Sequence, residues 1–454
     1  MKEPYRASRR DFLKKSTVAG AAMAGGLTLA GGVLADEAKP LGVHVAGSGQ
    51  RKIALIGCGG RGTGAVHDHM AAAALLNDDV KIVAVADAFE DKAKHAADHF
   101  MKQFPKNADI PADRVFFGFD AYQKAIASAD MLIVATSPGF RPYHHKAVVE
   151  AGKNIFMEKP CCTDAAGYRM LLESNKIADA KNLKVGVGFQ RRHTPSYVEC
   201  VKRIHDGAIG DLLLLRGYWN GGGIWFRDRT PEMTEMEYQM RNWYHFVWLC
   251  GDNICEQHIH NIDVCNWTKG DHPVEANGMG SCVQRYKNRD PKKGMGQIFD
   301  NHFVEFTYKD GTKFYSQCRH IPNTFSSVSE AVHGTKGTAV PGGSIKFADG
   351  TDWKYQGVKG QKTPSSMVQE HMDLINAIRK DEKYNEGHHG ATSSFTAVLG
   401  RMATYSGQVV KWDDAAAKGP SEFPEKLAWD APPKCLPDKD GNYPIAIPGV
   451  YKAY

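Results

Sequence analysis

Between an apolar run, Lys52-Ile53-Ala54-Leu55-Ile56, and a helix-like segment reaching about Leu76 stands Gly57-Cys58-Gly59-Gly60-Arg61-Gly62. No other feature limits so tightly what this chain can fold into. A GxGxxG turn is common by itself, but at a strand–helix junction each glycine has a role. The first permits a tight turn, the second lets backbone approach a pyrophosphate, and the last lets helix and strand pack closely, while the helix N-terminus attracts the anion. Alternation continues beyond it: Val80–Ala86 reads as a strand, Glu90–Gln103 as a helix, and Asp130–Thr136 as a continuous apolar strand of the kind buried on both faces of a parallel sheet. A helix ending at Ala151-Gly152, strand Asn154–Met157, helix Asp164–Ala180 and strand Lys184–Phe189 follow. The pattern predicts a doubly wound α/β Rossmann domain over residues 51–189. Asp87 ends the second strand, roughly 25 residues after Gly62. A carboxylate there accepts from ribose hydroxyls and repels a 2′-phosphate, so NAD is expected rather than NADP.

After Gln190 the character changes. Leu212–Trp219, Ala276–Tyr286 and Ser344–Phe347 read as strands, and His302–Gln317 as a hairpin turning at Asp310-Gly311. Helices are expected at Ser196–Asp206, Asn253–Lys269 and Met367–Lys380, the second capped by Asp252 and stopped by Gly270. Residues 190–418 are therefore expected to form a second, α+β domain with a largely antiparallel sheet, to which the family resemblance given below assigns substrate binding and oligomerisation. Residues 419–454 read as an irregular, Pro-rich tail.

The N-terminus is set apart. Ser8-Arg9-Arg10-Asp11-Phe12-Leu13-Lys14-Lys15 reads as a twin-arginine export signal, followed by a Gly/Ala-rich apolar stretch, Val18–Leu34, and small residues near Ala35. The stretch is short and weakly apolar for a membrane span. Residues 1–35 are thus expected to be a signal and 36–50 a linker. The twin-arginine machinery would deliver the protein to the periplasm, membrane-tethered if the signal stays. Lys2, Arg6, Arg9, Arg10, Lys14 and Lys15 against Glu3 and Asp11 supply most of the formal +6 charge. What remains is too little to indicate nucleic acid or a membrane surface. Ten cysteines without a CxxC pair, in a chain 42% hydrophobic and 24% charged, read as buried thiols in an ordinary globular protein.

Met157-Glu158-Lys159-Pro160 follows a predicted strand. With the glycine turn, Asp87, Thr136-Ser137-Pro138, Gly188-Phe189-Gln190-Arg191-Arg192 and Glu256-Gln257-His258-Ile259-His260-Asn261-Ile262-Asp263, it resembles the Gfo/Idh/MocA oxidoreductases over roughly residues 51–412. The resemblance implies that Lys159 is the active-site lysine beside a nicotinamide ring. It also assigns Gly57, Gly59, Gly60, Arg61, Gly62, Asp87, Thr136, Ser137, Pro138, Glu158, Lys159 and Gln190 to the cofactor. The family carries Asp four residues before its catalytic His; here Glu256 precedes His260. His260 would accept the hydroxyl proton and Glu256 would orient it or bind substrate. The chemistry stands independently, because a fixed ammonium stabilises the alkoxide that develops when a secondary alcohol is oxidised.

Glu256, His260, Asp263 and Trp267 fall on one helical stripe, as a cleft lining would. His258 and His260 point about 200° apart on a helix and cannot readily share an ion, so no metal is expected. Arg192, Trp243 and Tyr244 are candidate substrate contacts, aromatic faces suiting sugar C–H surfaces. The leading expectation is hydride transfer between NAD and a secondary alcohol of a sugar or cyclitol. A second is a glycosidase or lyase that oxidises its sugar transiently with retained NAD, and a third is a non-catalytic NAD- or sugar-binding sensor. A homo-oligomer is also expected.

Overall fold

The computed structural model describes residues 49–283, 296–357, 360 and 363–454. The segment read as an export signal, most of the expected linker and the end of the strand expected at Ala276–Tyr286 lie outside the described residues. Among the described residues no helix is long and apolar enough to cross a membrane.

Six strands, β1 (Arg51–Ile56), β2 (Val80–Asp87), β3 (Val115–Phe117), β4 (Met131–Val134), β5 (Asn154–Met157) and β6 (Val185–Val187), form a parallel sheet in the order β3-β2-β1-β4-β5-β6. Helices Gly60–Leu76, Glu90–Gln103, Ala121–Ser128, Arg141–Glu150 and Ala165–Ala180 make the crossovers. β4 is Met-Leu-Ile-Val with every residue buried, as a strand covered on both faces requires. The order reverses between β1 and β4, which places a crevice at the carboxyl ends of the strands. The sequence expectation of a Rossmann domain is met.

The second sheet has nine strands: β7 (Leu212–Gly221), β8 (Pro273–Ser281), β9 (Asn301–Tyr308), β10 (Lys313–His320), β11 (Ser327–Gly334), β12 (Gly337–Val340), β13 (Ser344–Phe347), β14 (Asp352–Lys354) and β15 (Val410–Lys411). Their order is β14-β13-β12-β11-β7-β10-β9-β8-β15, and only β7 and β10 run parallel. Alternation decides which face is covered: Val304, Phe306 and Tyr308 of β9 point inward and are buried, as are Phe314 and Cys318 of β10. Helices Ile259–Lys269 and Gly387–Ser406 pack on that inner face.

Three features depart from the sequence reading. The helix expected over Asn253–Lys269 is broken into Asn253–Glu256 and Ile259–Lys269. A 20-residue helix, Gly387–Ser406, has no amphipathic signature because almost all of it is buried. The helix Ser366–Arg379, expected within the second domain, belongs physically to the first. Its Leu374 and Ile375 complete the cluster formed by Ile53, Leu55, Ala65, Val66 and Phe156. After Lys418 the chain is irregular, yet Phe423, Cys435 and Tyr443 are buried in a cluster with Phe140, Tyr238 and Trp248. Nine of the ten cysteines are buried free thiols, Cys161 and Cys162 among them.

Candidate active site

The crevice of the parallel sheet is a cleft of about 410 Å³. At the glycine turn, Gly59 precedes the helix Gly60–Leu76 without a side-chain cap, and the first turn carries no acidic residue. A Cβ on Gly59 or Gly60 would meet nothing within 4 Å, so the backbone there faces open space. At Gly62 a Cβ would collide with the Gly57 carbonyl, so only glycine lets the helix start this close to β1. Uncapped N–H groups at the positive end of a helix dipole suit a phosphate.

Asp87 ends β2. Its Oδ2 accepts from the Cys58 N–H (2.7 Å) and its Oδ1 from the Phe89 N–H (3.0 Å). Burial raises the pKa of this carboxyl, while Lys92 and the two N–H groups pull it back. A carboxylate has about four acceptor sites, so capacity remains for ribose hydroxyls. Phe89, Lys92, Phe119 and Tyr122 share the cleft wall with Asp87. Thr136 and Ser137, after β4, also line the cleft, and Thr136 Oγ1 lies 3.1 Å from His144 Nδ1. Burial, aided by Arg141, depresses the His144 pKa to about 3, so this imidazole is neutral. Pro138 opens the turn Pro138–Phe140 and is not among the cleft-lining residues.

Glu158 and Lys159 follow β5. Arg61 reaches from the glycine turn to Glu158, with Nε 3.1 Å from Oε1. Lys159 Nζ donates to the Glu256 carbonyl oxygen (2.6 Å) and to Glu256 Oε1 (3.1 Å). The helix break explains this contact. In a continuous helix the His260 N–H would occupy the Glu256 carbonyl; here it turns to Gln257 (3.4 Å), leaving that carbonyl for the ammonium. His260, 9% exposed, lies edge-on to Phe189 (6.4 Å) and stacks over Trp219 (5.9 Å). Its Nδ1 has no hydrogen-bond partner. Burial, then the charges of Lys159 and Arg191, hold its pKa well below the ordinary histidine value.

The structure thus brings Gly57, Gly59, Gly60, Arg61, Gly62, Asp87, Thr136, Ser137, Glu158, Lys159, Gln190, Trp243, Glu256 and His260 around one cleft. The stripe read from the sequence holds only in part. Asp263 turns away, its two oxygens taken by Arg192 (2.8 and 2.9 Å) and one also by Ser393 (2.8 Å). Trp267 lies against the same guanidinium, 5.2 Å from ring centre to Arg192 Cζ. Arg192 and Tyr244, expected at the substrate, are not among the cleft-lining residues. Arg192 is committed to Asp263, and Tyr244 is buried beside the His320 ring. His258 points to Ser316 Oγ (2.8 Å), and among the described residues no group of three or more ligands could hold a metal.

The cleft also contains residues the sequence reading did not single out. Lys92, Met240, Met367 and Glu370 line it. Met367 and Glu370 come from the helix that returns to the Rossmann sheet, so no local spacing ties them to the glycine turn.

An uncapped helix terminus, a carboxylate at the end of β2 and a lysine after β5 fit a nicotinamide dinucleotide. Comparison with known proteins agrees. The region 51–189 matches the family described as "Oxidoreductase family, NAD-binding Rossmann fold", GFO_IDH_MocA. The chain is similar to an inositol 2-dehydrogenase/D-chiro-inositol 3-dehydrogenase of Halalkalibacterium halodurans, 30% identical over 45% of this chain and 50% of that protein. It is also similar to an inositol 2-dehydrogenase of Rhizobium meliloti, 28% identical over 47% of this chain and 54% of that protein. The chain therefore spans about half the length of these curated relatives. Beyond residues 51–189 the likeness to solved structures is one of fold. Levoglucosan dehydrogenase in complex with NADH and levoglucosan superposes with a TM-score of 0.62 at 17% identity, covering 80% of this chain and 99% of the other. Aldose-aldose oxidoreductase from Caulobacter crescentus gives 0.60 at 18% identity, with the same coverage.

Proposed function

We propose that this chain transfers hydride between NAD and a secondary alcohol of a sugar or cyclitol. The observation that carries the proposal is the gathering of Lys159, Glu256 and His260 in the same cleft as the glycine turn and Asp87. Bound there, the nicotinamide ring supplies the hydride acceptor or donor. Glu256 fixes the Lys159 ammonium through its carbonyl and its carboxylate, using two of three N–H donors. The third is available to a substrate oxygen, where a fixed positive charge stabilises the alkoxide as the hydroxyl loses its proton. His260 is held neutral and can take that proton. Trp243 offers an aromatic wall to sugar C–H groups.

The dehydrogenases of inositols and levoglucosan among its relatives support the substrate class. The Arg9-Arg10 segment supports delivery to the periplasm by the twin-arginine machinery as part of the same proposal. The test is single-turnover reduction of NAD, followed by nicotinamide absorbance, across a panel of inositol isomers, aldoses and anhydrosugars. Hydride transfer from one of these classes to NAD supports the proposal. A protein that binds NAD but reduces it with none of them overturns it.

A further inference from the structure

Glu370 lines the cleft but takes no part in the chemistry above. It arrives on the helix Ser366–Arg379, far in sequence from the glycine turn. The side chain is 4% exposed, and its Oε2 has no hydrogen-bond partner. Its neighbouring cations are engaged elsewhere. Arg61 is paired with Glu158 (3.1 Å) and Asp68, and His193 lies between Asp373 (2.6 Å) and Glu386 (3.1 Å). A carboxyl buried beside other carboxylates without an ion pair has no evident structural purpose, because an unsatisfied buried polar group destabilises a fold.

Its position suggests a use. Glu158 lies beside Glu370 closely enough for its charge, after burial itself, to raise the Glu370 pKa well above the carboxylate range. Glu158 is also pressed against Gly188, where a Cβ would come within 2.7 Å of Oε2. The two carboxyls share the cleft with Arg61 of the glycine turn, which contacts Glu158, and with Lys159, which follows Glu158 in the chain, and Gln190. In a dinucleotide stretched between those points, the nicotinamide ribose occupies the middle. With a proton on Glu370, which its raised pKa favours, the pair offers one O–H donor and several acceptors, the complement of a vicinal diol whose hydroxyls both donate and accept.

We propose that Glu370, together with Glu158, binds the 2′,3′-diol of the nicotinamide ribose, so that the second half of the chain supplies a cofactor contact. This rests on the NAD-binding reading of the cleft. The test is calorimetric titration of nucleotide-free protein with ADP-ribose, which carries the second ribose, and with ADP, which lacks it. Glu370→Ala is expected to weaken ADP-ribose about tenfold and ADP less than about twofold, the scale of losing one hydrogen-bonding group at a ligand. Glu370→Leu, which fills the space without hydrogen-bonding groups, is expected to match it and removes a packing defect as the cause. Glu370→Gln, which keeps a donor and an acceptor, should recover most of the affinity. ADP binding doubles as the check that each variant is folded. Undiminished ADP-ribose affinity in the alanine and leucine variants overturns the proposal, as does an equal loss for ADP. A wild-type protein that binds neither probe overturns the NAD reading instead.

Discussion

In the proposed reaction Lys159 and His260 divide the chemistry of the cleft, and their surroundings set what each substitution should do. Lys159→Ala and His260→Ala are each expected to lower single-turnover hydride transfer by roughly 100-fold, the scale of losing a positioned acid/base or electrostatic stabiliser. NAD affinity should stay near wild type, since the glycine turn and Asp87 are untouched. Near-normal hydride transfer in His260→Ala would place the base elsewhere. The depressed pKa of His260 adds a sign: folded, it stays neutral as pH falls through 6.5, so its acidic limb in the rate profile should lie below that value. A limb at 6.5 would mean an imidazole open to solvent.

At Asp87, Asp87→Ala removes the acceptor of two backbone N–H groups and the charge facing the 2′ position, while Lys92 remains. The expected result is weaker NAD binding and a shift toward NADP, read by titrating both. Equal wild-type affinity for the two would contradict the role given to Asp87. Asp87 and Lys159 were singled out because each sits at a strand end inside a motif, and His260 because it stands four residues after Glu256 in a helical segment. Glu370 was not, since its neighbours in space are far from it in sequence. Arg192 was misplaced because spacing alone cannot show that Asp263 engages it.

Among the elements, the helix over Asn253–Lys269 shows how far periodicity reaches. Its caps, Asp252 and Gly270, were readable, and Gly270 does adopt the left-handed conformation that ends the helix. The break at Gln257-His258 was not, because no glycine or proline marks it and Lys159 supplies the partner for the carbonyl it releases. Gly387–Ser406 was invisible for a different reason: a helix buried on all sides shows no polar stripe. Strands read well wherever one face is covered. On the open face of the nine-stranded sheet, Met279 pairs directly with Phe303, and the Tyr315 ring lies 6.0 Å from that of Phe303. Met279 is 74% exposed and Phe303 36%. We propose that this strip joins copies of the chain. Met279→Glu with Phe303→Glu should then lower the mass measured by light scattering while leaving the melting temperature of the protomer nearly unchanged. A monomeric wild type removes the proposal.

For the whole molecule, buried histidines set the response to acid. Burial is the largest cause depressing His69, His144 and His258 to about 3 and His145 to about 4. Below pH 6.5 the unfolded chain binds protons that these folded side chains refuse. Stability therefore falls as pH falls, by up to about 1.4 kcal/mol per pH unit for each such histidine. His193 works oppositely. Against its burial, Asp373 and Glu386 raise it to about 10, so its contribution is complete below 6.5 and lost as pH rises toward 10. Calorimetry should show the melting temperature dropping from pH 7 to 5 and again on approach to pH 10. A flat profile between 7 and 5 would show those histidines already charged in the folded state. The return of Ser366–Arg379 to the parallel sheet has a further consequence, for modularity. The Rossmann domain is not a cassette: a fragment ending at residue 189 would leave Phe156 and its neighbours uncovered, and a graft of residues 51–189 would need this distant helix to travel with it. On the ribosome, the first domain cannot close its core until nearly the entire polypeptide has emerged.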